Sequence, residues 1–254
     1  MMVAMGDELI HRFRRARRER DLVVIEGFHA LKHALRFGAE LLEAVAVDPG
    51  SLEVLAADLA PDLAGTLADR VEPIDAETLA KIVPLVPRTG VVAIARRPPL
   101  DLGATLADPR PAPVVLLEDP RNMGNIGACV RVAAAANAAA MLTTGEHDPW
   151  YPDAVRAGAG LHFALPVGSI ETLPVSGRPL LAIDPAGEDL TPERLPPRAV
   201  LAFGTERHGL TSELLERADA RIAIPMRAGV SSLNLATSVA VTLFSWRLEG
   251  GISP

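Results

Sequence analysis

The sequence has a single cysteine, Cys129, in 254 residues, which excludes a disulfide framework and any cysteine-rich zinc site. Aromatic residues make up 4% of the chain, and only Lys32 and Lys81 are lysine. No apolar run approaches about 18 uninterrupted residues and no signal-peptide pattern opens the chain, so neither a membrane span nor export is predicted. Disorder is excluded as the main state, because 49% of residues are apolar against 22% charged. A chain of this length buries a core without metal or disulfide staples. The composition predicts a soluble, cytoplasmic protein of one or two domains.

Acidic residues outnumber basic ones, giving a net charge of -7, which argues weakly against a nucleic-acid partner until the charge is mapped. The segment HRFRRARRER at residues 11–20 holds Arg12, Arg14, Arg15, Arg17, Arg18 and Arg20 against Glu19 alone. Residues 1–20 thus carry +3 and the remainder -10. An exposed basic arm of this kind either neutralises RNA phosphates or is a solvated terminus.

Composition shifts again at residues 96–113, RRPPLDLGATLADPRPAP, whose five prolines and lack of periodicity predict a linker. Before it, VVIEGFHALKHALRFG reads as a strand feeding an amphipathic helix ended by Gly38, followed by strand LLEAVAVD, helix SLEVLAADLA and strand VVAIA. This alternation predicts a small α/β sandwich. After the linker, VVLLE, AAMLTTG, LPVG, PLLAID, AVLAFG and RIAIPM read as strands, interleaved with the alanine-rich helix IGACVRVAAAANA, the helix TSELLERADA and a final helix near Ser232–Leu248. Strands alternating with helices predict a parallel sheet, whose ligands bind at the carboxyl ends of the strands.

Three loops at such ends are rich in glycine and small polar residues. The first runs from Asp119 to Arg131, with Asn125 a plausible N-cap and Arg131 leaning back over Gly127 toward the helix start. It reads either as an anion-facing mouth or as a surface arginine on a capped helix. The second, Phe203 to Leu210, contains two glycines and Glu206, and reads as a ligand loop or a flexible turn. The third joins Ile224-Pro-Met to Ser231-Ser-Leu-Asn234, where Ser232 is positioned to cap the final helix. No G-x-G-x-x-G dinucleotide fingerprint is present, which disfavours a nucleotide-dependent oxidoreductase. His29 and His33 share a helix face without a third metal ligand, and no metal is predicted.

Taken in order, Asn125-Ile-Gly-Ala-Cys-Val-Arg131, Gly204-Thr-Glu-Arg-His-Gly-Leu210 and Ile224-Pro-Met…Ser232-Leu-Asn234 resemble the three motifs of the SpoU/TrmH family of SPOUT RNA methyltransferases. Glu26-Gly27 and Arg88-Thr-Gly-Val-Val resemble that family's substrate-binding domain. Two departures stand out. Leu235-Ala236 follows the last asparagine where the family usually has Val-Ser, and the family's R-A-S-A-G-A reads here Arg156-Ala-Gly-Ala-Gly160.

The resemblance implies an α/β protein with a basic arm at 1–20, an RNA substrate-binding α/β domain at 21–97, a linker at 98–113 and a SPOUT methyltransferase domain at 114–254, with a parallel sheet and a deep trefoil knot. It implies methyl transfer from S-adenosylmethionine to a ribose 2′-hydroxyl, ribosomal RNA being favoured. Transfer RNA and a catalytically silent RNA-binding role are the alternatives. Gly204, Ile224, Met226 and Leu233 would surround the cofactor, Arg131 would meet the hydroxyl, and Asn125, Glu206, Ser232 and Asn234 would orient the reactants. It further implies a homodimer through the knotted domain and final helix, with Leu235, Val239, Leu243 and Trp246 serving that interface or the monomer core.

Overall fold

The computed structural model describes residues 2–205 and 208–249. The chain divides into two compact units, Met1–Pro99 with Trp150–Ala164, and Leu100–Pro149 with Leu165–Pro254.

The first unit comprises α1 (Met2–Ala16), β1 (Leu22–Glu26), α2 (Phe28–Arg36), β2 (Leu41–Ala46), α3 (Pro49–Leu59), α4 (Ala64–Arg70), β3 (Glu72–Pro73), α5 (Ala76–Ile82) and β4 (Val91–Arg96). Its sheet has the order β1-β4-β2-β3, with β4 antiparallel to both neighbours and β3 parallel to β2. Aspartates start two of its helices: Asp48 accepts from the Ser51 N–H at 3.0 Å and Asp75 from the Thr78 N–H at 2.7 Å.

The basic segment is not an arm. Leu9, Ile10, Phe13 and Ala16 recur at helical spacing and are buried against Val24, Val45, Leu79, Val92 and Ile94, so α1 is part of the core. The same helical geometry sorts the arginines. Arg12 forks onto Glu43 at 2.7 and 2.8 Å, Arg15 pairs with Glu19, and Arg17 reaches Glu26 at 2.6 Å. Arg14, Arg18 and Arg20 are exposed, with no hydrogen-bond or ion-pair partner among the described residues.

The second unit opens with α6 (Leu102–Ala107), β5 (Val114–Leu117), α7 (Met123–Ala135) and β6 (Ala140–Thr143). The chain then leaves it for α8 (Pro152–Ala157) and returns with β7 (Val167–Ser169), β8 (Leu180–Asp189), β9 (Val200–Phe203), α9 (Ser212–Arg217), β10 (Ala220–Ala223) and α10 (Leu235–Glu249). Its six strands are all parallel, in the order β10-β8-β9-β5-β6-β7. Every residue of β5 is fully buried, as expected for a strand covered on both faces.

Residues 98–113, expected as a linker, are instead largely built into the second unit. Asp101 caps α6 by accepting from the Ala104 N–H at 2.9 Å. Buried Arg178 donates to the carbonyls of Leu106, Asp108 and Ala112 at 2.8–2.9 Å, satisfying carbonyls that no strand or helix pairs. Burial, and next the neighbouring Arg198, lower the pKa of Arg178 from the usual arginine value. Leu235, Val239, Leu243 and Trp246 are buried in the second unit itself, at most 5% exposed, while Val241 and Leu248 of α10 face outward.

The excursion through α8 is held to the first unit by a carboxylate. Glu26 is 3% exposed and takes Arg17 on one oxygen and Arg156 on the other, each at 2.6 Å. His33 Nδ1–H donates to the Ala159 carbonyl at 2.7 Å. Gly160 has φ +75°, and a Cβ there would overlap the Ala30 carbonyl, so the tightest approach of this segment requires glycine. Glu26→Gln should remove the charge that two arginines share and destabilise the protein by about 2 kcal/mol in urea unfolding, discounted from the fully buried case because both arginines reach solvent. Arg14→Ala should stay within about 0.5 kcal/mol of the parent. Equal midpoints for the two variants would refute the clamp.

Candidate active site

In a parallel sheet every strand delivers its chain to the same edge, so the segments following β8, β9 and β10 gather there. These three strands are neighbours, and the middle of β8 with the segments that follow β9 and β10 borders a cleft of about 330 Å³. β8 contributes Ile183, Asp184 and Pro185, the turn after β9 contributes Phe203, Gly204, Thr205 and Gly209, and the segment after β10 contributes Ile224 and Met226. The approach to α10 closes it with Ser231, Ser232, Leu233, Leu235 and Ser238. The volume lies within the range of small-molecule sites. Both apolar side chains and hydroxyls line it.

The turn after β9 is shaped by backbone contact. Thr205 and Gly209 exchange N–H···O bonds of 3.1 and 3.0 Å, which hold these two residues side by side. A Cβ on Gly204 would overlap the backbone of Gly209 and Leu210. The glycine therefore serves this pairing, which is a requirement separate from leaving room for a ligand. The far end of the loop is anchored by Glu118, whose carboxylate accepts from both the N–H and the hydroxyl of Thr211 at 2.7 Å. Glu118 follows β5 directly, so the loop after β9 is tied to the turn that leads into α7.

That turn departs from the sequence reading in its cap. Asn122, not Asn125, starts α7, accepting from the Asn125 N–H at 3.0 Å. The Asn125 side chain is thereby released to accept from Asn234 Nδ2 at 3.1 Å. Asn234, not Ser232, starts α10, its Oδ1 accepting from the Ala236 N–H at 2.9 Å. One asparagine pair thus joins the starts of two helices that also pack along their lengths, where Arg247 donates to the Ala136 carbonyl at 2.8 Å.

Of the residues singled out from the sequence, Gly204, Ile224, Met226, Leu233 and Ser232 line the cleft. Asn125 and Asn234 do not line it but are bonded to each other, Asn234 standing next to the lining segment Ser231–Leu233. Arg131 is exposed on α7, two turns from its start, with no hydrogen bond or ion pair to any described residue; it does not bond Asn122 or Asn125. Glu206 lies outside the described residues. Asp184, Thr205 and Ser238 were missed by sequence reading. Asp184 ends the apolar run LLAI of a strand, and Ser238 stands one helical turn beyond Asn234, so both carried a signal once the sheet was taken as parallel.

A cleft of this size at the carboxyl edge of a parallel sheet, lined by residues of the second and third motifs, is where an α/β protein of this class places a small-molecule site. The SpoU rRNA Methylase family matches residues 112–244. A tRNA/rRNA methyltransferase of Mycobacterium bovis is 34% identical over 208 residues, covering 76% of this chain and 71% of that protein. The 23S rRNA (adenosine(1067)-2'-O)-methyltransferase of Streptomyces azureus is 29% identical over 234 residues, covering 87% and 84%. Among solved structures, the AdoMet-bound rRNA methyltransferase from Sinorhizobium meliloti superimposes with a TM-score of 0.74 at 25% identity, covering 96% of this chain and 95% of that one. This chain belongs to the SpoU rRNA methylase family.

Gly204→Ala should force open the Thr205–Gly209 pairing. The Gly209 amide should lose protection in hydrogen exchange, and overpacking should cost about 1–3 kcal/mol of stability. A variant with the parent's protection at that amide would show that the loop tolerates the added methyl.

Proposed function

We propose that this chain transfers the methyl group of S-adenosylmethionine to a ribose 2′-hydroxyl of RNA, ribosomal RNA being the favoured substrate. The observation that carries the reading is the Asn125–Asn234 hydrogen bond of 3.1 Å. It joins the helix bearing Arg131 to the segment Ser231–Leu233, which lines the cleft, so the first and third motifs meet at one rim. The relatives named as ribosomal RNA 2′-O-methyltransferases support the substrate, and the AdoMet-bound neighbour supports the cofactor.

The cleft suits that cofactor. Gly204, Ile224, Met226 and Leu233 would hold it, with Ile183 and Phe203 supplying apolar surface and Ser231, Ser232 and Ser238 supplying hydroxyls. When bound, S-adenosylmethionine supplies an electrophilic methyl group. The chain's own task is then alignment of the hydroxyl and removal of its proton. Arg131, which has no partner among the described residues, would bind the RNA phosphate or orient the hydroxyl. Those roles suit a guanidinium better than proton abstraction does. Asn125 and Asn234 hold the two helix starts together, Ser232 would help hold the cofactor from the cleft wall, and Glu206 would act as an orienting carboxylate.

The finer architecture follows the same reading. β9 enters the sheet between β5 and β8 although both precede it in the chain, which supports a deep trefoil knot in the catalytic unit. A homodimer through that unit is supported by the outward Val241 and Leu248 of α10. The first unit binds RNA, supported by the unpaired Arg14, Arg18 and Arg20, and a cytoplasmic site of action follows from the substrate. Among the described residues no helix is long and apolar enough to cross a membrane.

Arg131→Ala should lower methylation of ribosomal RNA by about 10²-fold or more while leaving S-adenosylmethionine affinity unchanged in calorimetry. Arg131→Lys should rescue poorly, since an ammonium lacks the planar fork. Parental turnover in the alanine variant would reduce Arg131 to a surface residue. Replacing Arg14, Arg18 and Arg20 together by alanine should weaken RNA binding and flatten its dependence on salt, whereas Arg12→Ala should leave the slope unchanged. An unaltered slope in the triple variant would remove α1 from the RNA surface.

A further inference from the structure

The cleft has an electrostatic feature that neither its motifs nor its relatives assign. Among the described residues lining it, Asp184 alone carries a formal charge; the others are apolar, hydroxylic or glycine. Asp184 is half-buried near the middle of β8, where the strand passes the cleft. Its orientation is set locally: Oδ1 accepts from the Ala186 N–H at 2.9 Å, an Asx-type turn formed across Pro185. The second carboxylate oxygen has no partner among the described residues. A fixed carboxylate beside apolar walls projects a stronger field into a cleft than it would in open water.

Methyl transfer changes the charge of the molecule in such a cleft. S-adenosylmethionine bears a positive sulfonium, and S-adenosylhomocysteine, left after the methyl group departs, has a neutral thioether sulfur. The two share their adenosine, amino group and carboxylate, so those parts cancel when the affinities are compared. What differs is one methyl group and one positive charge. We infer that Asp184 is the residue by which this chain prefers the charged methyl donor over the neutral product. This rests on the cofactor reading above. The carboxylate stabilises the cation before transfer and loses that attraction once the sulfur is neutral, which favours product release and exchange for fresh donor.

The test is calorimetric titration of the full chain with S-adenosylmethionine and, separately, S-adenosylhomocysteine. Asp184→Asn keeps the Oδ1 acceptor for the Ala186 N–H and removes only the charge. The donor's affinity should fall at least about fivefold, the scale of two unit charges about 4 Å apart under the full screening of bulk water, while the product's changes less than about twofold. Asp189→Asn, an exposed acid that does not line the cleft, should leave the ratio of the two affinities at the parental value. Raising the salt should narrow the parent's preference and leave that of Asp184→Asn flat. Should the asparagine variant fail to fold, Asp184→Ser retains a short acceptor and should give the same change in ratio. Equal weakening of donor and product would place Asp184 on a group common to both and overturn the inference, as would an unchanged ratio. A parent chain that binds neither molecule would overturn the cofactor reading itself.

Discussion

Parallel pairing is the constraint on which the second unit depends. Antiparallel neighbours send their connections to alternate edges, but parallel ones send all of them to one. Because β10, β8 and β9 are adjacent and parallel, three segments far apart in sequence are delivered to one edge. The cleft between them needs no further device to assemble it. What remains is to stop the loops from moving, and here backbone and side-chain bonds divide the work. The Thr205–Gly209 pairing holds the two sides of one loop together, Glu118 fastens its end through Thr211, and Asn125 with Asn234 locks the two helix starts.

The first unit solves a different problem. Its sheet is mostly antiparallel and needs cover, which α1 supplies through Leu9, Ile10, Phe13 and Ala16. Glu26 then links three separate stretches of chain through Arg17 and Arg156. A buried carboxylate is costly unless its charge is met, and two guanidiniums meet it here on both oxygens. This gives Arg156 in the R-A-G-A-G segment a structural reason to be arginine. It also explains why Gly160 is glycine, since the same segment passes against the Ala30 carbonyl.

Charge is distributed by task across the chain. Arg12, Arg15 and Arg17 neutralise acids within the first unit, whereas Arg14, Arg18 and Arg20 are exposed without a partner among the described residues. In the second unit Arg178 is consumed by backbone carbonyls, while Arg131 is exposed on α7 without a partner among the described residues. A sequence count treats all of these as equivalent positive charges. Only those without an internal partner remain available to an RNA backbone, because an arginine already paired would have to give up a bond to make another.

Local patterns in the sequence determined most strands and the longer helices. Alternating and continuous apolar runs such as VVAIA and VVLLE need no distant information to be read as strands, and three motifs in order were enough to recognise a family. They also named five residues that prove to line one cleft. Local reading failed where a residue's role depends on a partner far away. The arginines of residues 11–20 read as an exposed arm because the apolar stripe between them has meaning only against the sheet it covers, and the proline-rich 98–113 segment reads as free because its clamp, Arg178, lies some seventy residues on. Both helix starts lie a few residues from where the sequence suggests them, at Asn122 and Asn234, because several residues in each loop have cap-forming side chains and only the folded backbone selects one. Asp184 went unnoticed because a charge at the end of an apolar run is ordinary in sequence. It becomes singular only when the sheet sets it in a cleft whose other described walls are uncharged, a property of the folded arrangement that no single segment holds.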